Sequence, residues 1–198
     1  MLSGCASQPD ITSTEIIQAL SSKQRAELLL KNKKWQLRGK IAFIQKIKNE
    51  KDKRESASLT WQVNEERQTQ TLNLTSYLGI NVLHLESTPN QHVIEVDGKI
   101  YHGTNLPQLI YSLTGLTLPT KALTFWLKGL PYKATDKLKV DDKTQLPISL
   151  SSYHNKALWQ INYTNYQVFD GIKIATKFTI EKDDLLIKIA INNWSFNA

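Results

Sequence analysis

Ala157-Leu158-Trp159-Gln160-Ile161-Asn162-Tyr163, near the carboxyl end, places Ala157, Trp159, Ile161 and Tyr163 on one side of an extended chain. Successive side chains of a strand point to opposite faces, so this spacing of two marks a strand with one buried face. The pattern repeats twice downstream. Ile172, Ile174, Phe178 and Ile180 form one row, and Leu185, Ile187, Ile189 and Ile191 form another. Further upstream, Ala57, Leu59, Trp61 and Val63 alternate with Ser58, Thr60 and Gln62, and Leu72 and Leu74 alternate with Thr71, Asn73 and Thr75. Repeated alternation of this kind predicts an antiparallel sheet with one apolar and one wet face.

Helical spacing precedes the strands once and interrupts them twice. Thr12 and Glu15 have the separation of a capping box, and Ile16, Ile17, Leu20 and Leu28 carry a helix pattern to about Lys33. Asn105 is placed to cap a second helix, with Leu106, Leu109, Ile110 and Leu113 on one face and Gly115 as its terminator. Thr120, after Pro119, is placed to cap a third; Leu123, Trp126, Leu127 and Leu130 form its apolar stripe and Gly129 closes it. One sheet therefore takes a helical insertion and continues. With no linker or repeat, 198 residues read as a tether over residues 1–12 and a single domain over 13–198.

A hydrophobic share of 40%, with only 8 Gly and 6 Pro, excludes collagen-like, low-complexity and wholly disordered chains. Lys plus Arg is 25 against 18 for Asp plus Glu, a formal charge of +7, which points to an anionic partner. The basic stretch from Lys46 to Arg54 also holds Glu50 and Asp52, and no aromatic residues interleave with it, so it reads as a solvated hairpin tip and not a nucleic-acid clamp.

No catalytic or metal-binding set emerges, and no cofactor is implied. His84, His92, His102 and His154 form no zinc-binding helix pair. Nucleophile-elbow, phosphate-loop and dinucleotide fingerprints are absent. Asp141-Asp142 and Asp183-Asp184 sit in hairpin-like loops, where turn chemistry accounts for them. The reading is of a protein that is not an enzyme.

Cys5 is the only cysteine, so an internal disulfide framework is excluded. With Leu2, Ser3 and Gly4 it resembles a bacterial lipobox, in which the cysteine becomes the acylated first residue. A complete signal would carry a basic stretch and an apolar run upstream, whereas only Met1 precedes this tetrapeptide. Ala6 follows the cysteine. In similar lipoproteins an Asp at that place retains the molecule at the inner membrane, so the expected destination is the outer membrane, with Cys5 as the lipid anchor.

Several longer strings carry a more specific resemblance. They are Trp35-Gln36-Leu37-Arg38-Gly39-Lys40-Ile41-Ala42, Leu59-Thr60-Trp61-Gln62 and Leu72-Asn73-Leu74-Thr75-Ser76-Tyr77-Leu78-Gly79. Then come Leu113-Thr114-Gly115-Leu116-Thr117-Leu118-Pro119, Leu123-Thr124-Phe125-Trp126-Leu127-Lys128-Gly129-Leu130-Pro131 and the closing Asn193-Trp194. In this order they resemble the LolB family of outer-membrane lipoproteins, which receive other lipoproteins from the periplasmic carrier LolA. The resemblance implies a mainly β fold: an incompletely closed antiparallel β-barrel with a lid of short helices over an apolar cavity. It implies as partners the carrier LolA, acylated lipoprotein cargo and outer-membrane lipids, for a protein acting as a monomer. The strand residues Trp61, Leu72, Leu74, Ile174 and Phe178 and the lid residues Leu109, Ile110, Leu113, Trp126 and Leu127 are the expected acyl-chain wall. Leu78 is expected on a loop tip, where a family leucine protrudes and helps push cargo into the membrane. The family's usual preceding proline is replaced by Tyr77, whose ring suits the lipid–water interface. An open-barrel lipoprotein carrying another lipid or glycolipid is the alternative.

Overall fold

The computed structural model describes residues 20–76 and 78–196. A short helix, α1 (Ser22–Lys31), leads into six strands: β1 (Lys34–Gln45), β2 (Lys53–Asn64), β3 (Thr69–Thr75), β4 (Asn81–Ser87), β5 (His92–Val96) and β6 (Lys99–Gly103). Two helices follow, α2 (Leu106–Thr114) and α3 (Thr120–Trp126). Five further strands end the chain: β7 (Lys137–Val140), β8 (Pro147–His154), β9 (Ala157–Phe169), β10 (Ile172–Lys182) and β11 (Leu185–Phe196).

All eleven strands form one antiparallel sheet in the order β6-β5-β4-β3-β2-β1-β11-β10-β9-β8-β7. The fold is thus mainly β, and the barrel is open: β6 and β7 are its two edges and do not pair with each other. β1 lies at the centre because it pairs with both β2 and the last strand, Trp35 standing opposite Val63 on one side and Phe196 on the other. The register against β11 slips between Arg38 and Gly39. A β-carbon on Gly39 would lie 2.2 Å from the Ala190 carbonyl oxygen and 2.8 Å from Ile191 Cα, so only glycine admits this approach of two backbones.

The helices fill the concave side. Asn105 accepts a hydrogen bond from the Gln108 N–H, Pro107 sits in the first turn and Gly115 closes α2 at φ 70°, as the sequence pattern predicts. α3 starts differently. Thr120 is its first helical residue, Pro119 takes the cap position, and no side chain caps the helix. Its closing turn uses Gly129 at φ 69°. Thr12, Glu15, Ile16 and Ile17 lie outside the described residues; the described part of the first helix is capped by Ser21, with Gln24 completing a reciprocal capping box.

The core divides in two. The larger cluster joins the inner faces of β1, β2 and β8–β11 to α3, with Trp35 packed between Trp61 and Trp194 at centroid separations of 5.5 Å each. The smaller joins Leu85 of β4 and Ile94 of β5 to Leu106 and Ile110 of α2. Each large apolar side chain so buried contributes about 1.5–3 kcal/mol.

Candidate functional site

Leu72 of β3 and Leu118, just before α3, are half-buried and pack against both apolar clusters. They mark a seam between the part of the sheet covered by α2 and the part covered by α3. At one end the seam meets a cavity of about 800 Å³. The β2–β3 turn, the β4–β5 turn and the starts of α2 and α3 form its walls, with Tyr132 and His154 on the far side. Val63 of the larger cluster and Leu106 of the smaller both border it, so the cavity opens on the line where the clusters meet.

The rim is polar. Glu65, Lys33, Lys121, His92 and His154 all reach it. Burial, reinforced by the Lys133 charge, pushes the His154 imidazole below its ordinary value, and burial lowers His92 as well. Both rings are therefore mainly neutral near pH 7. Asp136 fixes the Tyr132 wall: one carboxylate oxygen accepts the Tyr132 and Lys133 N–H groups at 2.8 and 3.0 Å.

Behind the cavity lies a buried polar knot that sequence pattern did not reveal. Lys128, with no exposed surface, places Nζ 2.5 Å from Glu65 Oε1 and 3.5 Å from the Leu29 carbonyl. The same Glu65 oxygen accepts the Trp35 ring N–H at 3.1 Å. Arg25 of α1 is buried, has no carboxylate partner among the described residues, and donates to the carbonyls of Lys173 and Lys128, each at 2.9 Å. Burial lowers the ionisation of both bases from their ordinary values, with Glu65 opposing the shift at Lys128. The knot ties α1, the end of α3 and the β2–β3 turn to one point.

The ten residues expected to face acyl chains are distributed over both clusters. Trp61, Trp126, Leu127, Ile174 and Phe178 are buried in the larger one, and Ile110 in the smaller. Leu72 and Leu74 pack partly buried against the larger, Leu109 and Leu113 against the smaller. None of the ten lines the 800 Å³ cavity. They form packed walls on either side of the seam.

Leu78 sits on the tip between β3 and β4 and is 80% exposed. The loop beneath it is closed by backbone hydrogen bonds from Ser76 N–H to the Ile80 carbonyl and from Gly79 N–H to the Ser76 carbonyl, at 2.8 and 3.0 Å. Gly79 takes φ 77°, a left-handed conformation suited to glycine. Tyr77 and Cys5 lie outside the described residues.

The family model described as outer membrane lipoprotein LolB matches residues 33–194, which takes in the sheet up to Trp194 of β11, the seam and the tip. The chain belongs to the LolB family. It is 33% identical to the outer-membrane lipoprotein LolB of Psychromonas ingrahamii, over 98% of this chain and 90% of that protein. It is 32% identical to the LolB of Shewanella oneidensis, over 98% of this chain and 83% of that one. The LolB of Pseudoalteromonas translucida is 34% identical, over 82% and 76% of the two chains. In shape the chain is similar to a LolA superfamily protein of Nitrosomonas europaea, with TM-score 0.54 and 8% identity over 91% of this chain and 95% of that one. A DUF1329 family protein of Desulfovibrio piger gives the same score at 10% identity, over 89% and 93%. These likenesses concern the fold alone: the open barrel is shared with both structures.

Membership of the LolB family makes this an outer-membrane lipoprotein of the lipoprotein-localisation system. Among the described residues no helix is long and apolar enough to cross a membrane, and no group of three or more His, Cys, Asp or Glu could hold a metal ion. Asp141 and His84 have local partners. Asp141 caps its own loop through the N–H groups of Lys143 and Thr144, and His84 contacts Asn73 and Glu86 on the sheet surface.

Proposed function

We propose that this protein accepts acylated lipoproteins from the periplasmic carrier LolA and releases them into the outer membrane. Family membership supports the reading, and the observation that carries it is the seam between two apolar clusters opening into an 800 Å³ cavity. An acyl chain gains about 0.8 kcal/mol for each methylene withdrawn from water, so a long chain gains on the order of 10 kcal/mol on entering such a seam. The smaller cluster contains only four buried residues, so α2 is the cover that parts at least cost. Trp61, Leu72, Leu74, Ile174 and Phe178 on the sheet, with Leu109, Ile110, Leu113, Trp126 and Leu127 on the helical side, then become the acyl-chain wall.

Transfer is driven by differential affinity and not by a reaction: each acceptor holds the chains better than the last. Cys5 carries the lipid anchor, residues 1–12 act as its tether, and residues 13–198 act as one monomeric domain. Leu78, with Tyr77 beside it, enters the bilayer at the point of release. The test is to mix a non-lipidated Cys5→Ala chain with carrier loaded with an acylated lipoprotein and to follow which protein retains the cargo. Transfer to this chain is expected. No transfer from a carrier that delivers to another LolB protein would overturn the reading and favour a different lipid or glycolipid cargo.

A further inference from the structure

Leu78 is not alone at its end of the sheet. Ile80 and Val82, which follow it into β4, are 64% and 41% exposed, and Ile100 on the edge strand β6 is 61% exposed. The strand register brings these together. Ile100 stands opposite Glu95 of β5, and Glu95 opposite His84 of β4, so Ile100 is level with His84 and faces the same way. Val82 lies two residues nearer the tip, at the bulge where β4 carries one residue more than the Leu74–Thr75 step of β3. Two strand spacings and one pleat put it about 12 Å from Ile100. The inner face here belongs to Leu85, Ile94 and Tyr101, so the patch is separate from the seam and cavity. The cavity borders the β2–β3 and β4–β5 turns, whereas this patch occupies the opposite ends of β3 and β4.

A cationic arm flanks the patch. Pairing between β2 and β3 stops at Ser58 opposite Thr75, while β1 and β2 stay paired out to Gln45 opposite Lys53. The β1–β2 hairpin therefore overhangs the Leu78 loop by five residues of β2, about 17 Å. Between Lys46 and Glu55 it carries five bases against three acids, with Ile47 part-exposed near its tip. Apolar side chains at the end of a sheet, beside an excess of ammonium groups, match the two layers of an anionic bilayer surface: acyl region and phosphates.

We infer that Leu78, Ile80, Val82 and Ile100 form one lipid-contacting surface, so that the domain docks on the bilayer through the whole end of the β3–β6 segment and not through a single leucine. This rests on the reading of Leu78 as the membrane-entering residue. A docked patch also sets orientation: it turns the cavity away from the bilayer.

The test uses the full chain with Cys5→Ala and one new cysteine at position 78, 100 or 143, each labelled with an environment-sensitive NBD dye. Lys143 lies exposed on the β7–β8 turn, beyond the other sheet edge. The chains are mixed with vesicles of phosphatidylethanolamine and phosphatidylglycerol. The expected result is a rise of about threefold in emission, with a blue shift, at positions 78 and 100 and no change at 143, as a group moves from water into the interface. A rise at 78 without one at 100 would overturn the extended surface and leave the Leu78 reading standing. No rise at either would sink both, and an equal rise at 143 would mean non-specific adsorption and overturn the proposal. As an unlabelled check, Ile100→Glu should weaken vesicle co-sedimentation about tenfold, the equivalent of one large aliphatic side chain kept out of the apolar layer, while its circular dichroism matches the parent. Unchanged co-sedimentation would count against the surface.

Discussion

Lys128 Nζ lies 2.5 Å from Glu65 Oε1, and the ammonium side of this pair has no exposed surface. The two residues stand 63 positions apart in sequence. Their contact ties the end of α3 to the β2–β3 turn, and Lys128 reaches on to the Leu29 carbonyl of α1. A lysine held this way tolerates its charge only while the carboxylate remains.

Removing the two partners should therefore have unequal effects. Glu65→Ala leaves a buried ammonium unpaired and should cost about 3–5 kcal/mol. Lys128→Met removes the buried charge and leaves Glu65 its Trp35 donor and the Lys33 ammonium 3.8 Å away, so it should cost less. Urea unfolding of the two variants at pH 7 checks the order. Equal losses would show that the pair acts through packing alone.

The same burial predicts an alkaline signature. Lys128 ionises below its ordinary 10.5 in the folded chain because of burial, so between that lowered value and 10.5 the unfolded chain binds more protons. Stability relative to Lys128→Met should then rise as pH climbs towards 10.5. Parallel stabilities of parent and variant from pH 7 to pH 10.5 would contradict the assignment.

Asp136 should give a signature of the same sign at the acid end. Burial opposes its ionisation, but the hydrogen bonds it accepts, those of Lys133 and Tyr132 among them, outweigh this and hold it below the usual carboxylate range. The contribution is present above 3.8 and disappears as pH falls through the lowered folded value. Chemical denaturation of parent and Asp136→Asn should show a gap at pH 7 that narrows below pH 3.8.

Gly39→Ala should destabilise by about 3 kcal/mol, the upper end for overpacking, because the added methyl meets backbone on β11 and not a movable side chain. In a domain of this size that is a fall of roughly 10 °C in Tm. Differential scanning fluorimetry would read it, and a fall under about 2 °C would mean that β1 and β11 can separate locally.

Leu78→Glu should leave Tm unchanged, since the side chain is exposed. Cargo uptake from loaded carrier should also persist, while delivery into vesicles stalls. The two steps are separated by fractionating vesicles from soluble complex after mixing. Unimpaired delivery would remove Leu78 from the release step.

Legibility of the fold followed burial. β9, β10 and β11 declare themselves because their inner faces are fully covered, so Trp159, Ile161, Ile174, Ile180 and Ile187 fall at a spacing of two. β4 to β7 are short and half-buried, and His84, Glu95, Tyr101 and Lys139 blur the alternation. Asn105 and Gly115 marked α2 because cap chemistry is local. The Lys128–Glu65 pair had no such signal: a lysine following a helix reads as solvated until its distant partner is in place. Alternation also records that a residue faces inward, not whether the space before it is filled. The ten expected acyl-wall residues consequently appear as packed clusters, and the open volume lies beside Glu65, His92 and Tyr132, where no apolar row points.

The central strand carries a kinetic consequence. β1 is formed from residues 34–45, yet one of its two neighbours is β11, which ends at Phe196. A chain that emerges amino end first holds Trp35, Leu37 and the inner face of β2 ready for most of its synthesis and export, with half of the ladder missing. Such long-range pairing is slow to form and leaves an exposed strand edge in the meantime. Refolding should therefore be limited by docking of the last dozen residues, and truncation just before Leu185 should yield an aggregating species and not a smaller native one.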